Sequence, residues 1–149
     1  MHPRLDPHVV APEAMVPIVA LEKSVTGSGL DHALIELVKI RASQINGCAY
    51  CLELHTRDAR KLGETSIRLD VLAAWREAPH FSDRERVALA WTEALTSLEH
   101  TGAPDESFDP LREHFDEQEI VKLTVLIATI NAWNRIAVGF RSTHGRGRN

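Results

Sequence analysis

Apolar side chains recur at helical spacing along most of this chain, and that periodicity constrains the fold more than any other feature. The segment "HALIELVKIRASQI", for example, is apolar at positions 34, 37, 38 and 45, as expected for an amphipathic helix. No run of four to eight residues alternates convincingly between apolar and polar residues, as a half-buried strand would. The sequence therefore predicts an all-α fold, a compact bundle of about six to seven helices with short connections.

Helix breakers and caps give the expected limits of these helices. Asp31 can cap one helix, which Asn46-Gly47 then breaks. Two capping boxes, in the segments 82–85 and 116–119, each open a further helix. Residues 1–12 are expected to form an extended lead-in. The expected helices span about 12–27, 32–45, 48–62, 65–76, 83–98, 110–115 and 117–140.

Length, charge and hydropathy limit the classes of protein to which this chain can belong. A chain of 149 residues is most simply one domain, residues 1–149, with a sizeable core. A formal net charge of −4 predicts no nucleic-acid partner and no anionic membrane. No segment is expected to reach the roughly 20 apolar residues of a membrane span, and "MHPRLDPHVVAPEAM" lacks the apolar centre of a signal peptide. A cytoplasmic location is expected, where a cysteine pair is more often catalytic or metal-binding than structural.

The two cysteines of the chain lie one helical turn apart, and a histidine follows one turn later. Cys48, Cys51 and His55 fall within one narrow stripe at about 100° per residue. The stripe continues through Ala59 and Leu62, which indicates that this face points inward. Both thiols and the imidazole are therefore expected to share one pocket.

Each thiol of this pair has a neighbour that favours its ionised form. Cys48 follows Asn46-Gly47 at a helix start, where free backbone N–H groups favour a thiolate. Cys51 has His55 one turn below it, within reach to accept the thiol proton. Glu36, inside "LIELV", is either a partly buried carboxylate that exchanges protons near neutral pH or a solvated residue at a helix edge. The sequence leaves both interpretations of Glu36 open.

These positions together resemble the signature of a known family. Eleven residues separate Glu36 from Cys48, two separate Cys48 from Cys51, and three separate Cys51 from His55. This spacing, with "RASQINGCAYCLELHTRDARKLGE", resembles the core of the AhpD-like alkylhydroperoxidases of the carboxymuconolactone decarboxylase superfamily. The resemblance covers about residues 13–140, outside which we expect a flexible lead-in and tail. It implies a homo-oligomer, a trimer or hexamer, with the CxxC motif at the start of a central helix.

The resemblance also implies a peroxidase that needs no bound cofactor. Its thiols would reduce a peroxide and form a redox-active disulfide between Cys48 and Cys51, which an external dithiol such as a lipoyl group would reduce. By motif position the catalytic residues are Cys51, Cys48, His55 and Glu36. Tyr50 departs from the pattern, because the best-studied members have a histidine there. It is an accessory candidate, although tyrosine carries protons less readily at neutral pH.

The order of attack follows as a hypothesis. Cys51 attacks the peroxide, His55 removes its proton, Glu36 accepts or orients that proton, and Cys48 condenses with the resulting sulfenic acid. Helix-terminus electrostatics favour Cys48 as the more acidic thiol, whereas proximity to His55 and the resemblance favour Cys51.

Two further accessory candidates lie on one face of the last helix. Asn131 and Asn134 could line a pocket, pair across a subunit contact, or serve as hydrogen-bonded amides of the core.

Other functions remain open for the same residues. The pair could serve a general dithiol–disulfide oxidoreductase, or the fold could act as a lactone decarboxylase that does not depend on cysteine. Cys48, Cys51 and His55 could bind zinc if the fold supplied a fourth ligand, or the cysteines could simply fill the core. Leu52 excludes covalent c-type haem, which needs histidine directly after the second cysteine.

Overall fold

The computed structural model describes residues 2–144, and this part of the chain is helical without any strand. It contains nine α-helices and two short 3-10 helices, the latter at Leu72–Ala74 and Asp109–Glu113. The α-helices are α1 (Pro7–Val10), α2 (Pro12–Thr26), α3 (His32–Asn46), α4 (Ala49–Lys61), α5 (Ser66–Val71), α6 (Asp83–Thr96), α7 (Leu98–Thr101), α8 (Asp105–Phe108) and α9 (Glu117–Phe140). The predicted all-α class is confirmed.

Both predicted capping boxes are formed. The Ser82 hydroxyl accepts the backbone N–H of Glu85, whose carboxylate accepts the N–H of Ser82 in return. Asp116 and Glu119 make the same reciprocal bonds. These bonds satisfy N–H groups that a helix start otherwise leaves free, so α6 and α9 begin where the sequence predicts.

The short elements differ from the prediction. The prediction of an extended lead-in is wrong in part, because α1 forms there. Asp6 caps this helix, and a proline lies in its first turn. The expected helix at 65–76 ends at Val71 and continues as a 3-10 helix, and the helix expected near 110–115 is the other 3-10 segment. Single-turn helices such as α7 and α8 carry too few residues to show a period, so the expected number was too low. The expected flexible tail lies mostly outside the described residues.

Helix α3 lies at the centre of the bundle. It packs against α4, α6 and α9, while α2 packs on α9. Three of its apolar side chains, Leu37, Val38 and Ile40, are at most 1% exposed. Burial of a leucine-sized side chain contributes about 1.5–3 kcal/mol, so this helix anchors the core. The CxxC segment starts α4, which lies directly against α3.

Helix α9 is long and apolar enough to cross a membrane by length and composition alone. The prediction that no segment would reach this length and hydropathy is therefore wrong for α9. In the bundle, 39% of its most apolar window is buried, and Leu123, Leu126 and Ile130 are fully enclosed. Its hydropathy thus matches its position as a core helix packed against α2, α3 and α6.

Candidate active site

A left-handed glycine turns the chain from α3 into α4 and places the first cysteine. Gly47 has φ 64°, a conformation that glycine adopts without steric cost. Cys48 then becomes the N-cap residue of α4, and its Sγ accepts the backbone N–H of Cys51 at 3.3 Å. The predicted helix-start position of Cys48 is confirmed. A sulfur in this position lies at the positive end of the helix dipole.

The two cysteines form a disulfide, with their Cα atoms 5.4 Å apart. Both are buried, Cys48 at 1% and Cys51 at 3% exposure, in a cluster with Ala42, Ile130 and Ala137. Cys51 borders a surface pocket, whereas Cys48 is not among the residues that line it. The sulfur of Cys51 is therefore the one that a small molecule entering this pocket meets.

Glu36 of α3 and His55 of α4 form a close pair. The Nδ1 atom of His55 lies 2.9 Å from Oε2 of Glu36. The side chain of Glu36 is 13% exposed and that of His55 is 11% exposed. Glu36 is therefore a partly buried carboxylate rather than a solvated residue at a helix edge. The structure therefore supports the partly buried placement of Glu36. The pair leaves Nε2 of the imidazole free to face another group.

The pocket beside Cys51 has a volume of about 210 Å³. Its walls come from four helices and are mainly apolar or aromatic, with one carboxylate among them. The lining residues are His8, Glu22, Tyr50, Cys51, Leu54, His55, Trp133 and Ala137. A second pocket of about 260 Å³ adjoins it and shares four of these residues. The expectation that both thiols and the imidazole share one pocket is therefore confirmed for Cys51 and His55, and it is wrong for Cys48, which does not line the pocket.

Tyr50, the residue directly before the second cysteine, contacts the C-terminal segment. Its ring stacks on the imidazole of His144, with centroids 3.9 Å apart and planes 10° from parallel. The Nε2 atom of His144 lies 2.9 Å from the backbone carbonyl oxygen of Tyr50, so it donates a hydrogen bond there. No local pattern in the sequence indicates this contact, because 94 residues separate His144 from Tyr50.

A buried charge pair beside the pocket was missed from the sequence. Lys39, only 3% exposed, forms an ion pair with Glu22, and the indole N–H of Trp133 donates to the other oxygen of that carboxylate at 3.1 Å. One signal was available, since Lys39 lies in the same apolar run, "LIELVKI", as Glu36. A charged residue inside such a run is buried only when it has a partner.

The two asparagine candidates support the turn before the CxxC motif and do not line the thiol pocket. The Asn46 amide donates to Oδ1 of Asn131 at 3.0 Å and to Oδ1 of Asn134 at 2.8 Å. Asn134 in turn donates to the Ser43 hydroxyl at 2.9 Å. These bonds fasten the end of α3 to α9. A direct accessory role in catalysis for Asn131 and Asn134 stays a prediction.

The metal-binding alternative finds no geometric support in the structure. Within residues 2–144, no group of three or more His, Cys, Asp or Glu side chains could hold a metal ion. His55, which would have been the third ligand, is directed by its Nδ1 to Glu36.

Comparisons with known proteins agree with this architecture. Residues 12–94 match the carboxymuconolactone decarboxylase family. The chain is 42% identical to the uncharacterised protein YdfG of Bacillus subtilis (strain 168) over 138 residues, covering 93% of this chain and 94% of YdfG. YdfG has no described activity to compare.

Solved structures show the same fold. A protein of unknown function from Agrobacterium tumefaciens, provisionally named as the antioxidant defence protein AhpD, superimposes with a TM-score of 0.94 at 46% identity, covering 97% of this chain and 99% of that one. An uncharacterised peroxidase-related protein from Ralstonia eutropha JMP134 with an AhpD core gives a TM-score of 0.81 at 20% identity, covering 93% and 74%. At that lower identity the likeness shows the fold alone. This chain therefore belongs to the carboxymuconolactone decarboxylase family, as one of its AhpD-like members.

Proposed function

We propose that this protein is a thiol-dependent peroxidase of the alkyl hydroperoxide reductase type. The observation that carries the proposal is the shared pocket of Cys51 and His55, with His55 held by Glu36 at 2.9 Å. Enzymes typically activate a nucleophile in this way, with a base beside the nucleophile and a third residue that orients the base. The family supports an enzyme, and the thiol chemistry is our proposal.

The first step oxidises Cys51. In the reduced protein His55 takes the proton of the Cys51 thiol, and Glu36 stabilises the imidazolium that results. The thiolate attacks one oxygen of the peroxide, the O–O bond breaks, and the other oxygen leaves as an alcohol or water after taking the proton from His55. Cys51 is then a sulfenic acid, and the peroxide has been reduced by two electrons.

The second step forms the disulfide that the structure contains. The Cys48 thiol attacks the sulfur of the sulfenic acid, water leaves, and the S–S bond forms. An external dithiol, for which a lipoyl group is our candidate, attacks Cys51 through the pocket and releases Cys48. The Cys51 N–H bonded to the sulfur of Cys48 favours the departure of Cys48 as a thiolate. A second exchange within the donor returns both cysteines to thiols.

The compartment, the oligomeric state and the partners of the enzyme are proposals as well. A reducing compartment, as in the cytoplasm, suits a disulfide that must be reduced in each cycle. A homo-oligomer, a trimer or hexamer, is proposed from the family likeness. Neither nucleic acid nor a membrane is part of the proposal, and no bound cofactor is needed for the steps above.

Peroxide consumption tests the proposal. With a lipoyl dithiol as donor, we expect wild-type protein to consume an organic hydroperoxide or hydrogen peroxide, and Cys51→Ser to lose at least about 100-fold in rate, because the attacking sulfur is gone. Equal rates in the two proteins would overturn the peroxidase proposal. Glu53→Gln, an exposed change on the same helix, is the matched control and should keep the wild-type rate.

Sulfenate trapping tests which cysteine attacks. A sulfenic-acid probe should label Cys48→Ser, in which Cys51 is oxidised but cannot be resolved, and should leave Cys51→Ser unlabelled. Labelling that survives only in Cys51→Ser would reverse the two roles.

A general dithiol–disulfide oxidoreductase is the second candidate. It is favoured by one observation, the N-cap position of Cys48, which suits a leaving group in disulfide exchange. Rapid exchange of the disulfide with the dithiol, together with a peroxide rate equal to that of Cys51→Ser, would select this function instead.

A further inference from the structure

The ion pair between the buried Lys39 and the partly exposed Glu22 joins three helices beside the thiol pocket. Glu22 comes from α2, Lys39 from α3 and Trp133, which donates to Glu22 at 3.1 Å, from α9. Glu22 and Trp133 both line the pocket that contains Cys51. Glu22 and Cys51 therefore line one small pocket, and the ammonium of Lys39, which does not line it, is paired with the Glu22 carboxylate.

A buried lysine is rarely explained by stability. Removal of an ammonium group from water costs several kcal/mol, and an ion pair often only balances that cost. An apolar pair of similar volume would serve the packing of α2 on α3 equally well. Buried charged groups beside a reactive residue commonly adjust its protonation, and the position of this pair beside Cys51 makes that role the natural one to test.

The other ionisable groups around the pocket are few. Helix α1 contributes His8, which is exposed, and α4 contributes Tyr50 and His55. Helix α3 contributes Glu36, which is paired with His55, and α9 lines the pocket only with uncharged residues. Since Glu36 and His55 already form a pair, Glu22 and Lys39 supply the remaining charges of opposite sign beside the pocket.

We propose that Glu22 and Lys39 are positioning residues that set the ionisation of Cys51, with Lys39 favouring the thiolate and Glu22 opposing it. The inference rests on the proposed function in so far as Cys51 is the reacting thiol. Because the two charges lie side by side, their effects nearly cancel in the wild type. Removal of either one exposes the effect of the other.

The experiment measures how the alkylation rate of Cys51 depends on pH. A Cys48→Ser background leaves Cys51 as the single thiol. In that background Glu22→Gln should move the midpoint of the pH profile down by about one unit, and Lys39→Met should move it up by about one unit, as expected for a single nearby charge. The double variant Glu22→Gln/Lys39→Met should return close to the starting midpoint.

A purely structural role predicts a different pattern. Loss of packing alone would lower the melting temperature without moving the two midpoints in opposite directions, and unmoved midpoints or shifts of the same sign would overturn the proposal. Glu53→Gln, an exposed change on α4, is the matched control and should leave the midpoint unchanged. Lys39→Met leaves a carboxylate that is 27% exposed, so Lys39→Met carries the test alone where Glu22→Gln, which leaves the buried ammonium without its partner, does not fold.

The two proposals fail separately. Alkylation requires no peroxide, so opposite shifts without any peroxide turnover would reject the peroxidase and retain the charge effect. Turnover that depends on Cys51, combined with fixed midpoints, would retain the peroxidase and reject the roles of Glu22 and Lys39.

Discussion

Cys48 and Cys51 are one turn apart, yet their surroundings differ in kind. The sulfur of Cys48 accepts a backbone N–H at the start of α4 and lies away from the lining of the pocket. Cys51 borders that pocket together with His55. The helix start favours negative charge on the sulfur of Cys48, whereas Cys51 is the cysteine that lines the pocket. This difference supports the proposed roles of Cys48 as leaving group and Cys51 as nucleophile.

At the residue scale, the carboxylate of Glu36 can be tested by Glu36→Gln. The amide can still accept a hydrogen bond from Nδ1 of His55, but it cannot stabilise the imidazolium by charge. We expect peroxide reduction near neutral pH to fall by about 100-fold, the usual contribution of general acid–base assistance. The measurement is the single-turnover rate of disulfide formation.

A matched control for this change is Glu53→Gln, which removes an exposed carboxylate from α4, the helix that carries His55, and should leave the rate unchanged. A Glu36→Gln protein with the wild-type rate would show that the pair of Glu36 and His55 has no part in proton transfer.

At the scale of elements, α3 carries much of the site and its end determines where α4 starts. Glu36 and Lys39 extend from it to His55 and Glu22, and Asn46 at its last turn bonds to two side chains of α9. Gly47 then reverses the chain so that Cys48 can cap α4. The geometry of the thiol pair therefore depends on one helix end.

The variant Gly47→Ala tests this helix end. The residue has φ 64°, and a Cβ atom added there would meet nothing within 4 Å, so its cost is backbone strain alone. We expect a loss of about 1–2 kcal/mol in the free energy of unfolding, measured by urea denaturation. Gly47→Asn should lose less, because asparagine tolerates this conformation better.

Gly139→Ala is the control for that series. Gly139 lies in α9, has the same open space where a Cβ atom would be added, and shows no positive φ. Alanine there should be neutral or should stabilise the protein by up to about 1 kcal/mol. Equal effects at the two glycines would rule out the strain explanation for Gly47.

At the scale of the whole molecule, Glu93 of α6 connects distant parts of the bundle. It accepts hydrogen bonds from Arg41 of α3 and from the indole of Trp75, each at 2.8 Å, and it also pairs with Arg76. Burial raises the pKa of Glu93, but the bonds from Trp75, Arg76 and Arg41 outweigh it and hold that pKa below its ordinary value.

This lowered pKa of Glu93 predicts how stability depends on pH. A carboxylate with a depressed folded-state pKa stabilises the protein fully above its ordinary pKa, about 4.3, and the contribution is lost as pH falls through the lower folded value. Glu93→Gln should therefore cost about 2 kcal/mol at pH 7, and the difference from wild type should shrink in acid. Urea titrations at several pH values measure it.

Glu99→Gln is the control, since the side chain of Glu99 is 83% exposed. It should change stability little at any pH. A Glu93→Gln protein whose deficit stays constant down to pH values well below about 4 would contradict the ionic role of Glu93.

Local features of the sequence predicted the parts of the site that lie on neighbouring turns. The helix limits followed from Asp31 and the capping boxes, and the inward stripe of Cys51 and His55 followed from the helical repeat. These predictions succeeded because residues three or four apart in a helix have nearly fixed relative positions. Glu36 lies 19 residues from His55 on another helix, so its apolar neighbours left its burial open and only the family resemblance assigned it to the site.

The contacts across the bundle required the tertiary structure. Trp133 and Glu22 are 111 residues apart, and His144 and Tyr50 are 94 apart, so neither contact has a local pattern. The sequence by itself determined the long helices, the face of α4 that turns inward and the two sulfurs on it. Only the packing of α2, α3 and α9 decided which charges stand beside those sulfurs, because side chains on separate helices meet only where the helices cross.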